Sequence, residues 1–326
     1  MRVVITGGTG FLGKMLAAKV LAKGSLTDST GAARTISELV LLDIHPASGE
    51  AWLNDSRVKQ FAGDINDVEL LSEALTPNTG SVFHLAAVVS SHAEADFDIG
   101  MKVNIDATRT LLELCRKLPA PPKFLFTSSC AVFGGDLPDV LPDSQLPTPQ
   151  GSYGIQKAIG EMLVSDMSRR GMIDGRSVRL PTISVRPGKP NKAASSFASG
   201  IIREPLSGVA AVCPTSPSTQ VWLQSPGRVI DNILIAHEAP ANAFKFNRTI
   251  TLPGITVTVG EMVESLRRVA GDAVASRISW QLDPGIDRLV TSWPKACSGE
   301  FGRSLGMKAD ASFDDIVREY QSAYCQ

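Results

Sequence analysis

The sequence Thr6-Gly-Gly-Thr-Gly-Phe-Leu-Gly13 follows the apolar run Arg2-Val-Val-Ile5 and precedes a segment of helical period, residues 11–23. Glycines at a strand-to-helix turn let the backbone approach a pyrophosphate, and the positive end of the helix favours that anion. We therefore predict a dinucleotide site in this turn. A purely structural turn is the alternative, because GxxGxxG differs from the commoner GxGxxG spacing. The residues predicted to contact the cofactor are Gly7, Gly10, Phe11, Leu12 and Gly13.

Outward from this turn, short apolar runs alternate with longer segments of helical period through the first half of the chain. This alternation is typical of an α/β fold of the Rossmann type, a doubly wound parallel sheet with helices on both faces. The predicted strands are 2–6, 38–43, 58–61, 81–86, 123–128 and 176–181. The predicted helices are 11–23, 67–75, 95–117 and 152–170.

The organisation of the chain changes after residue 181, where the alternation weakens and prolines become frequent. We expect residues 1–181 to form the NAD-type dinucleotide-binding domain and residues 182–326 to form mainly a smaller C-terminal, substrate-binding lobe. A helical pattern near 228–248 predicts a segment that folds back onto the first domain. The small, polar stretch 24–37 predicts an extended surface loop.

The composition argues against nucleic acid as a partner. The chain has 326 residues, of which 43 % are hydrophobic, and its 32 basic and 33 acidic residues give a net charge of −1. The sequence contains no basic stripe that could follow a phosphate backbone.

The cysteines and the apolar segments bear on the compartment. The five cysteines form no CxxC pair and no short Cys/His spacing, so neither a disulfide framework nor a metal site is predicted. The sequence opens directly on a strand pattern, and no apolar stretch approaches the ~18 residues that cross a bilayer. We therefore expect a cytoplasmic protein that does not bind membranes.

Acidic and small residues follow the predicted strands where a dinucleotide would lie. Asp43 ends the second strand, where a carboxylate can accept hydrogen bonds from the adenosine ribose and repel a 2′-phosphate, which favours NAD over NADP. Asp64 and Ile65 follow the third strand and are predicted near the adenine, with a helix N-cap role as the alternative for the acid. After His84, a predicted core histidine, the chain continues with small residues predicted to lie along the cofactor. These are Leu85, Ala86 and Ala87.

A tyrosine and a lysine lie four residues apart in Tyr153-Gly-Ile-Gln-Lys157, on a predicted helix where this spacing places both on one face. Oxidation of an alcohol requires a base for the hydroxyl proton, and a free tyrosine, with a pKa of about 10, needs a neighbouring positive charge for that role. Ser129, at the end of the fifth predicted strand, can form a hydrogen bond to the reacting oxygen. Such a Tyr/Lys pair is common on surface helices, so the prediction rests on the ordered set of glycine turn, strand-end serine and helix.

This ordered set resembles the extended short-chain dehydrogenase/reductase family, the NAD-dependent epimerases and dehydratases, over essentially the whole chain. The resemblance implies a Rossmann fold that binds NAD, with Tyr153 as acid/base, Lys157 as its partner and Ser129 as the third member. It also implies that Asn104 supports the active-site geometry. In the segment Pro181-Thr-Ile183 it implies contacts with the nicotinamide amide, from Pro181 and Ile183.

Within the family, the sequence favours a small substrate. Nucleotide-sugar epimerases and dehydratases usually carry an Arg-aromatic-x-Asn motif after the sixth strand, whereas this chain has Arg179-Leu-Pro-Thr182, without the asparagine. Residues 93–98, 156–161 and 186–205 resemble the sugar-acid dehydrogenases of the family. This implies NAD-dependent oxidation of the 2-hydroxyl of a four-carbon sugar acid. A nucleotide-sugar enzyme and a non-catalytic NAD-binding regulator remain the alternatives, and the intact Ser129, Tyr153 and Lys157 argue against the regulator.

A small sugar acid requires a cation for its carboxylate and several groups that bind its hydroxyls. The predicted substrate contacts are Ser90, Ser129, Tyr153, Arg186 and Asn191. The family resemblance further implies a homodimer in which the helices near 95–117 and 152–170 pack into a four-helix bundle. The same apolar faces could instead be satisfied within one chain.

Overall fold

The structure is a computed structural model that describes residues 1–188, 194–244 and 247–325. The strands, numbered along the chain, are β1 Arg2–Thr6, β2 Ser25–Thr27, β3 Ala33–Thr35, β4 Glu38–Asp43, β5 Val58–Ala62, β6 Thr79–His84, β7 Lys123–Ser129, β8 Asp174–Leu180, β9 Thr182–Ile183, β10 Ala211–Cys213, β11 Gln220–Gln224, β12 Thr249–Thr251, β13 Ile255–Thr258 and β14 Ile278–Trp280. The helices are α1 Phe11–Lys23, α2 Val68–Ala74, α3 Ser90–Ala95, α4 Phe97–Gly100, α5 Ala107–Cys115, α6 Ser152–Arg169, α7 Phe197–Leu206, α8 Pro226–Glu238, α9 Val259–Ala270, α10 Asp272–Ala275, α11 Pro284–Thr291, α12 Glu300–Ser304 and α13 Phe313–Tyr324. Other regular segments are a π-helical turn at Met101–Asp106 and 3₁₀ turns at Ala51–Asn54, Cys130–Val132, Ala194–Ser196 and Ala241–Ala243.

The chain divides into two compact units, each assembled from separated segments. The first unit comprises Met1–Ser129, Gly151–Arg179 and Ile233–Ile250, and the second comprises Cys130–Gln150, Leu180–Asn232 and Thr251–Gln326. Residues 130–150 therefore belong to the second unit although they precede residue 181. The end of α8 returns the chain to the first unit at Ile233.

The first unit is built on a sheet of seven strands in the order β12, β8, β7, β6, β1, β4, β5. β1 pairs in parallel with β4 and β6, and the parallel pairs β4–β5 and β6–β7 extend the sheet on either side. The chain thus moves outward from β1 first in one direction and then in the other, which confirms the predicted Rossmann-type fold. β12 was not predicted, because three residues are too few to give a periodic signal.

Apolar side chains of the sheet and of α2, α5 and α6 form a core of the first unit. Its fully buried members include Val4, Leu71, Leu111, Phe124 and Val164. Burial of each such side chain contributes about 1.5–3 kcal/mol to stability. This core fixes α6 against the sheet and so determines where the side chains of that helix lie.

Two predicted elements differ from the structure. The stretch 24–37 was expected to be a loop, but it forms the antiparallel hairpin β2–β3. Asp28 organises its turn, because Oδ1 accepts hydrogen bonds from the backbone and side chain of Thr30 and from the backbone of Ala32. The predicted helix 95–117 begins instead at Phe97, where the Asp96 side chain caps α4 by accepting from Ile99 N, and the π-helical turn Met101–Asp106 separates α4 from α5.

The second unit has its own sheets and its own core. β11 pairs in parallel with β9 and antiparallel with β13, and β10 pairs in parallel with β14. The core is formed in part by α7, α9 and α13, with Ile201, Leu266 and Val317 among its buried members. Of the helices in the described part of the chain, none combines the length and hydropathy that a membrane crossing requires.

Candidate active site

The glycine turn between β1 and α1 is closely packed. Gly7 has a φ of +69°, and a Cβ atom there would lie 2.8 Å from Ala86 N, just beyond the end of β6. A Cβ atom on Gly13 would overlap the carbonyl oxygen of Gly7. Both positions therefore require glycine, and their missing side chains allow the backbone of the turn to fold closely on itself and against β6.

The start of α1 fits the pyrophosphate of a dinucleotide. Gly10, the N-cap residue, has an extended backbone and provides no side-chain cap, and the first turn contains no acidic residue. Capping side chains therefore do not occupy the amide groups of this turn, to which Phe11, Leu12 and Gly13 belong. The close-packed glycine turn and this uncapped, positive helix end are the features that a site for the pyrophosphate of NAD requires.

Asp43 lies against the same turn. Its Oδ2 accepts hydrogen bonds from Thr9 N at 3.1 Å and from Gly10 N at 3.2 Å, while Oδ1 accepts from Ile44 N at 2.8 Å. A carboxylate has about four acceptor sites and three are used here, so one remains for a ribose hydroxyl. The end of β4 therefore presents a fixed negative charge beside the turn.

The side chains of Asp64 and Ile65 lie in different environments, one exposed and one buried. Asp64 is exposed and accepts hydrogen bonds at Oδ1 from the backbone and side chain of Asn66, which are the leading causes of its lowered pKa. Ile65 is buried in the core of the first unit. The N-cap role that was the alternative for Asp64 belongs to Asp67, which accepts from the amides at the start of α2.

The ends of β1 and β6 are joined by buried hydrogen bonds through His84. Its Nδ1 lies 2.6 Å from Thr6 Oγ1, and its Nε2 lies 2.8 Å from Thr108 Oγ1. The Thr108 hydroxyl donates to Asn104 O, so it accepts from His84, which places the imidazole proton on Nε2. Complete burial lowers the pKa of His84 to about 3, with a smaller effect from the positive charge of Lys157, so the ring is neutral. This is the core histidine that the sequence predicted.

The segment that follows β6 is held by Asn104, in the π-helical turn. Asn104 Oδ1 accepts from Val88 N at 3.0 Å, and Nδ2 donates to Val88 O and to Gln156 Oε1. Ser90, exposed at the start of α3, follows two residues after Val88. Leu85, Ala86 and Ala87 are half-buried in the same segment. Sequence reasoning missed Gln156, which connects Asn104 to the helix that carries Tyr153.

Tyr153 and Lys157 lie on α6, which packs tightly on β7. A Cβ atom on Gly160 would lie 2.6 Å from Phe126 Cζ, so glycine allows this approach. Lys157 is buried, and its Nζ donates to Thr127 O at 2.9 Å and lies 4.7 Å from the centroid of the Phe126 ring and 5.7 Å from that of Tyr153.

The electrostatic state of Lys157 follows from this location. Burial lowers the pKa of its ammonium to about 7, and the Glu161 carboxylate opposes the change. Ser129 is the last residue of β7, and both it and Tyr153 are half-buried. The structure therefore brings the strand-end serine and the Tyr/Lys helix to the same end of the sheet.

The remaining predicted residues belong to the second unit. Pro181 is buried, and Ile183 lies on β9 opposite Gln224 of β11. Arg186 is half-buried, its Nη2 donates to Ser195 Oγ at 2.9 Å, and its backbone oxygen accepts from Arg203. Asn191 lies outside the described residues. In the described part of the chain, no cluster of three or more His, Cys, Asp or Glu side chains is placed to hold a metal ion.

Comparison with known proteins places the chain in a family. The model of the NAD dependent epimerase/dehydratase family matches residues 3–222. The chain belongs to this family. Membership in the NAD dependent epimerase/dehydratase family confirms NAD as the predicted cofactor, and the protein is an NAD-dependent oxidoreductase.

Two relatives and one solved structure are similar over nearly the whole length of the chain. D-erythronate dehydrogenases from Cupriavidus necator and Haemophilus influenzae are 53 % and 44 % identical, and each alignment covers 98 % of this chain and 98 % of the relative. A crystal structure described as the nucleoside-diphosphate-sugar epimerase from Agrobacterium tumefaciens has a TM-score of 0.92 and 37 % identity. That comparison covers 100 % of this chain and 94 % of the other.

Proposed function

We propose that this protein is a sugar-acid dehydrogenase that oxidises the 2-hydroxyl of D-erythronate to 2-dehydro-D-erythronate with NAD. Its substrate class is supported by the two D-erythronate dehydrogenases, which are similar over 98 % of the chain. The observation that carries the reaction type is the buried ammonium of Lys157, 5.7 Å from the Tyr153 ring at the end of β7.

In this proposal Tyr153 removes the proton of the substrate hydroxyl. The Lys157 ammonium stabilises the resulting phenolate or developing negative charge, since a charge in a buried site is weakly screened. Ser129 donates a hydrogen bond to the reacting oxygen. When bound, NAD supplies the acceptor for the hydride that leaves the same carbon.

The other predicted roles are proposed from the position of each residue. Asn104 fixes the segment after β6 by bonding to both backbone groups of Val88, which positions Ser90 for a substrate hydroxyl. The Arg186 guanidinium, held by Ser195, provides a positive charge for the substrate carboxylate, and Asn191 provides a further polar contact. Asp43 binds the adenosine ribose, and Asp64, Pro181 and Ile183 complete the proposed cofactor contacts.

A nucleotide-sugar epimerase or dehydratase is the second candidate. It is favoured by the 37 % identity with the chain described as a nucleoside-diphosphate-sugar epimerase. Such an enzyme would retain its cofactor through each cycle and produce no net NADH. The sequence 179–182 argues against it, because Thr182 stands where those enzymes usually carry asparagine.

The experiment that separates these candidates follows NADH absorbance after the purified protein is mixed with NAD and one substrate at a time. The panel contains D-erythronate, L-threonate and other four- and five-carbon sugar acids, together with UDP- and dTDP-sugars analysed for conversion. NADH that forms with D-erythronate and more slowly with the other acids is the expected result. Conversion of a nucleotide sugar without NADH formation, and inactivity with all acids, would overturn the proposal.

We further propose a cytoplasmic homodimer. Exposed apolar side chains lie at i, i+4 and i+7 on α6, namely Ile155, Ile159 and Met162, and Phe97 of α4 is exposed as well. A helix stripe of this kind is typical of a bundle interface. Sedimentation at micromolar protein tests this proposal: a dimer is expected, and Met162→Lys should shift it toward the monomer.

The proposed cytoplasmic location is supported by the cysteines. The buried free thiols of Cys115 and Cys213 suit a reducing compartment.

A further inference from the structure

Glu161 lies one helical turn after Lys157 on α6, so Tyr153, Lys157 and Glu161 share one face of the helix. Its carboxylate is buried. Oε1 accepts hydrogen bonds from Ser128 Oγ at 2.5 Å and from Arg179 Nε at 2.8 Å, and Oε2 accepts from Arg179 Nη2 at 2.6 Å. The Arg179–Glu161 pair is therefore a buried, bidentate ion pair with side chains 5 % and 2 % exposed.

The same carboxylate joins three elements. Ser128 directly precedes Ser129 at the end of β7, and Arg179 lies at the end of β8, so hydrogen bonds from both strands converge on α6. A buried ion pair adds little net stability, because desolvation offsets most of its attraction, but it specifies one arrangement of the elements that it joins. Here that arrangement is the register of α6 against the strand that carries Ser129.

Glu161, one helical turn from Lys157, also supplies a negative charge that acts on the Lys157 ammonium. Burial is the main influence on the pKa of Lys157 and lowers it, whereas the Glu161 carboxylate raises it. Two other titratable groups of the described residues interact with this ammonium, namely Tyr153 on the same helix and the neutral His84 on β6. Neither provides a negative charge before Tyr153 ionises.

We propose that Glu161 is a positioning residue, which fixes the Tyr153–Lys157 helix against the strand of Ser129 and stabilises the charged form of Lys157. The proposal rests on the catalytic roles proposed above for Tyr153 and Lys157. It adds a fourth side chain to that group, one that acts through Lys157 and does not contact the substrate.

Removal of the charge has a defined effect on the coupled Tyr153/Lys157 pair. In Glu161→Gln, the charged form of Lys157 loses a favourable interaction one turn away, while the Tyr153 phenolate loses a weaker repulsion two turns away. The uncharged pair is thereby favoured over the phenolate–ammonium pair. More of the Tyr153 phenolate then forms in the second deprotonation step of the pair, after Lys157 has lost its proton, so the midpoint of the phenolate titration should rise by about one pH unit.

This shift can be measured in the protein without substrate. The chain contains three tyrosines, so the near-ultraviolet phenolate absorbance of Tyr153 is obtained by subtracting the titration of Tyr153→Phe from that of the intact protein. Burial raises the pKa of Tyr320, which separates its signal further. A Tyr153 titration in Glu161→Gln that coincides with the wild-type curve would overturn the proposal.

Two further variants separate the charge from the structural role. Ser128→Ala removes one hydrogen bond to Glu161 but leaves its charge, so its Tyr153 titration should remain within about 0.3 pH unit of the wild type. Glu161→Gln leaves Arg179 buried beside a neutral amide and can fail to fold, which a thermal melt reveals. In that case Glu161→Gln/Arg179→Gln replaces it, and the upward shift is still expected, because it is the Glu161 charge that raises the pKa of Lys157.

A kinetic readout completes the test. In Glu161→Gln both limbs of the pH profile of kcat/KM should move to lower pH, because removal of a negative charge favours the loss of both protons of the coupled pair. The maximum of the profile should fall, because the phenolate–ammonium form becomes a smaller share of the singly deprotonated protein. A merely structural residue would lower the whole profile without moving its limbs. If the wild-type protein does not oxidise sugar acids, the proposed substrate fails, whereas the absorbance titration still decides the role of Glu161.

Discussion

Two buried lysines of the first unit, Lys123 and Lys157, lie at opposite ends of β7 and have different surroundings. Lys123 begins the strand, and its Nζ donates to Thr27 Oγ1 at 2.6 Å and to His237 O at 2.9 Å. Lys157 packs against the end of the strand, with its Nζ near the rings of Phe126 and Tyr153. Both ammonium groups have a lowered pKa, mainly through burial, about 8 for Lys123 and about 7 for Lys157.

The charges around Lys123 stabilise a helix end. Arg176 also donates to the carbonyl groups of His237 and Ala239 at the end of α8, and it pairs with Asp174. Cations at the carboxyl end of a helix complement its dipole and satisfy its last carbonyl groups. The comparison teaches that burial alone does not identify a catalytic cation. What distinguishes Lys157 is the ionisable hydroxyl of the neighbouring side chain.

The largest expected effect comes from replacing each lysine by methionine. Lys157→Met should lower kcat by roughly 100-fold or more, because Tyr153 loses its positive partner. Its thermal midpoint should change by only a few degrees, since a poorly solvated charge is removed together with one hydrogen bond. Lys123→Met should keep kcat within about twofold, yet lose about 1–3 kcal/mol of unfolding free energy, because Thr27 Oγ1 loses its donor and His237 O retains only Arg176 of its described donors.

These two variants are compared by initial-rate assays on D-erythronate and by chemical denaturation. The comparison between the two ends of β7 fails if Lys123→Met lowers kcat as much as Lys157→Met does. It also fails if Lys157→Met retains the wild-type kcat.

A second prediction concerns the cofactor at the end of β4. Asp43→Ser removes a negative charge beside the glycine turn, so the ratio of kcat/KM with NAD to that with NADP should fall by about tenfold or more. Asp67→Asn is the matched control, because it changes a carboxylate that only caps α2 and should leave the ratio unchanged. Steady-state rates with both cofactors measure the effect. An unchanged ratio in Asp43→Ser would remove Asp43 from cofactor selection.

The smallest expected effect is a pH dependence of the unfolding free energy that arises from His237, whose carbonyl accepts from Lys123. Burial is the main cause that lowers the pKa of His237 to about 4, from an ordinary value of about 6.5. Between pH 6.5 and 4 the imidazole of His237 is therefore protonated in the unfolded chain but not in the folded protein. The free energy of unfolding consequently decreases as the pH falls from 6.5 toward 4. His237→Gln should reduce this loss without changing kcat at neutral pH. The free energy of unfolding is measured by urea denaturation between pH 6.5 and 4. If it falls equally steeply with decreasing pH in His237→Gln and in the wild-type protein, the assignment is contradicted.

The sequence predicted those parts of the molecule that depend on local patterns. Gly10 and Gly24 bound α1 at the residues that its period predicted, and the carboxyl ends of parallel strands gather Asp43 and Ser129 at one edge of the sheet. The turn of β2–β3 escaped prediction because it depends on hydrogen bonds to Asp28, in a stretch without an apolar period.

The ion pair next to Lys157 on α6, between Glu161 and Arg179, also escaped prediction, for a different reason. Glu161 and Arg179 lie 18 residues apart, and their contact arises only when α6 packs beside β8. Two signals were present in the sequence. Glu161 continues the four-residue spacing of Tyr153 and Lys157, and Arg179 is a charged residue near the end of a strand that the fold buries.

The most direct test of the proposed chemistry is Tyr153→Phe, which removes the phenol oxygen and little else. NAD affinity, measured by calorimetry, should stay within about threefold of the wild-type value, while NADH formation from D-erythronate falls by roughly 100- to 10,000-fold. A variant that binds NAD normally and still oxidises D-erythronate at the wild-type rate would contradict the role of Tyr153 as the base.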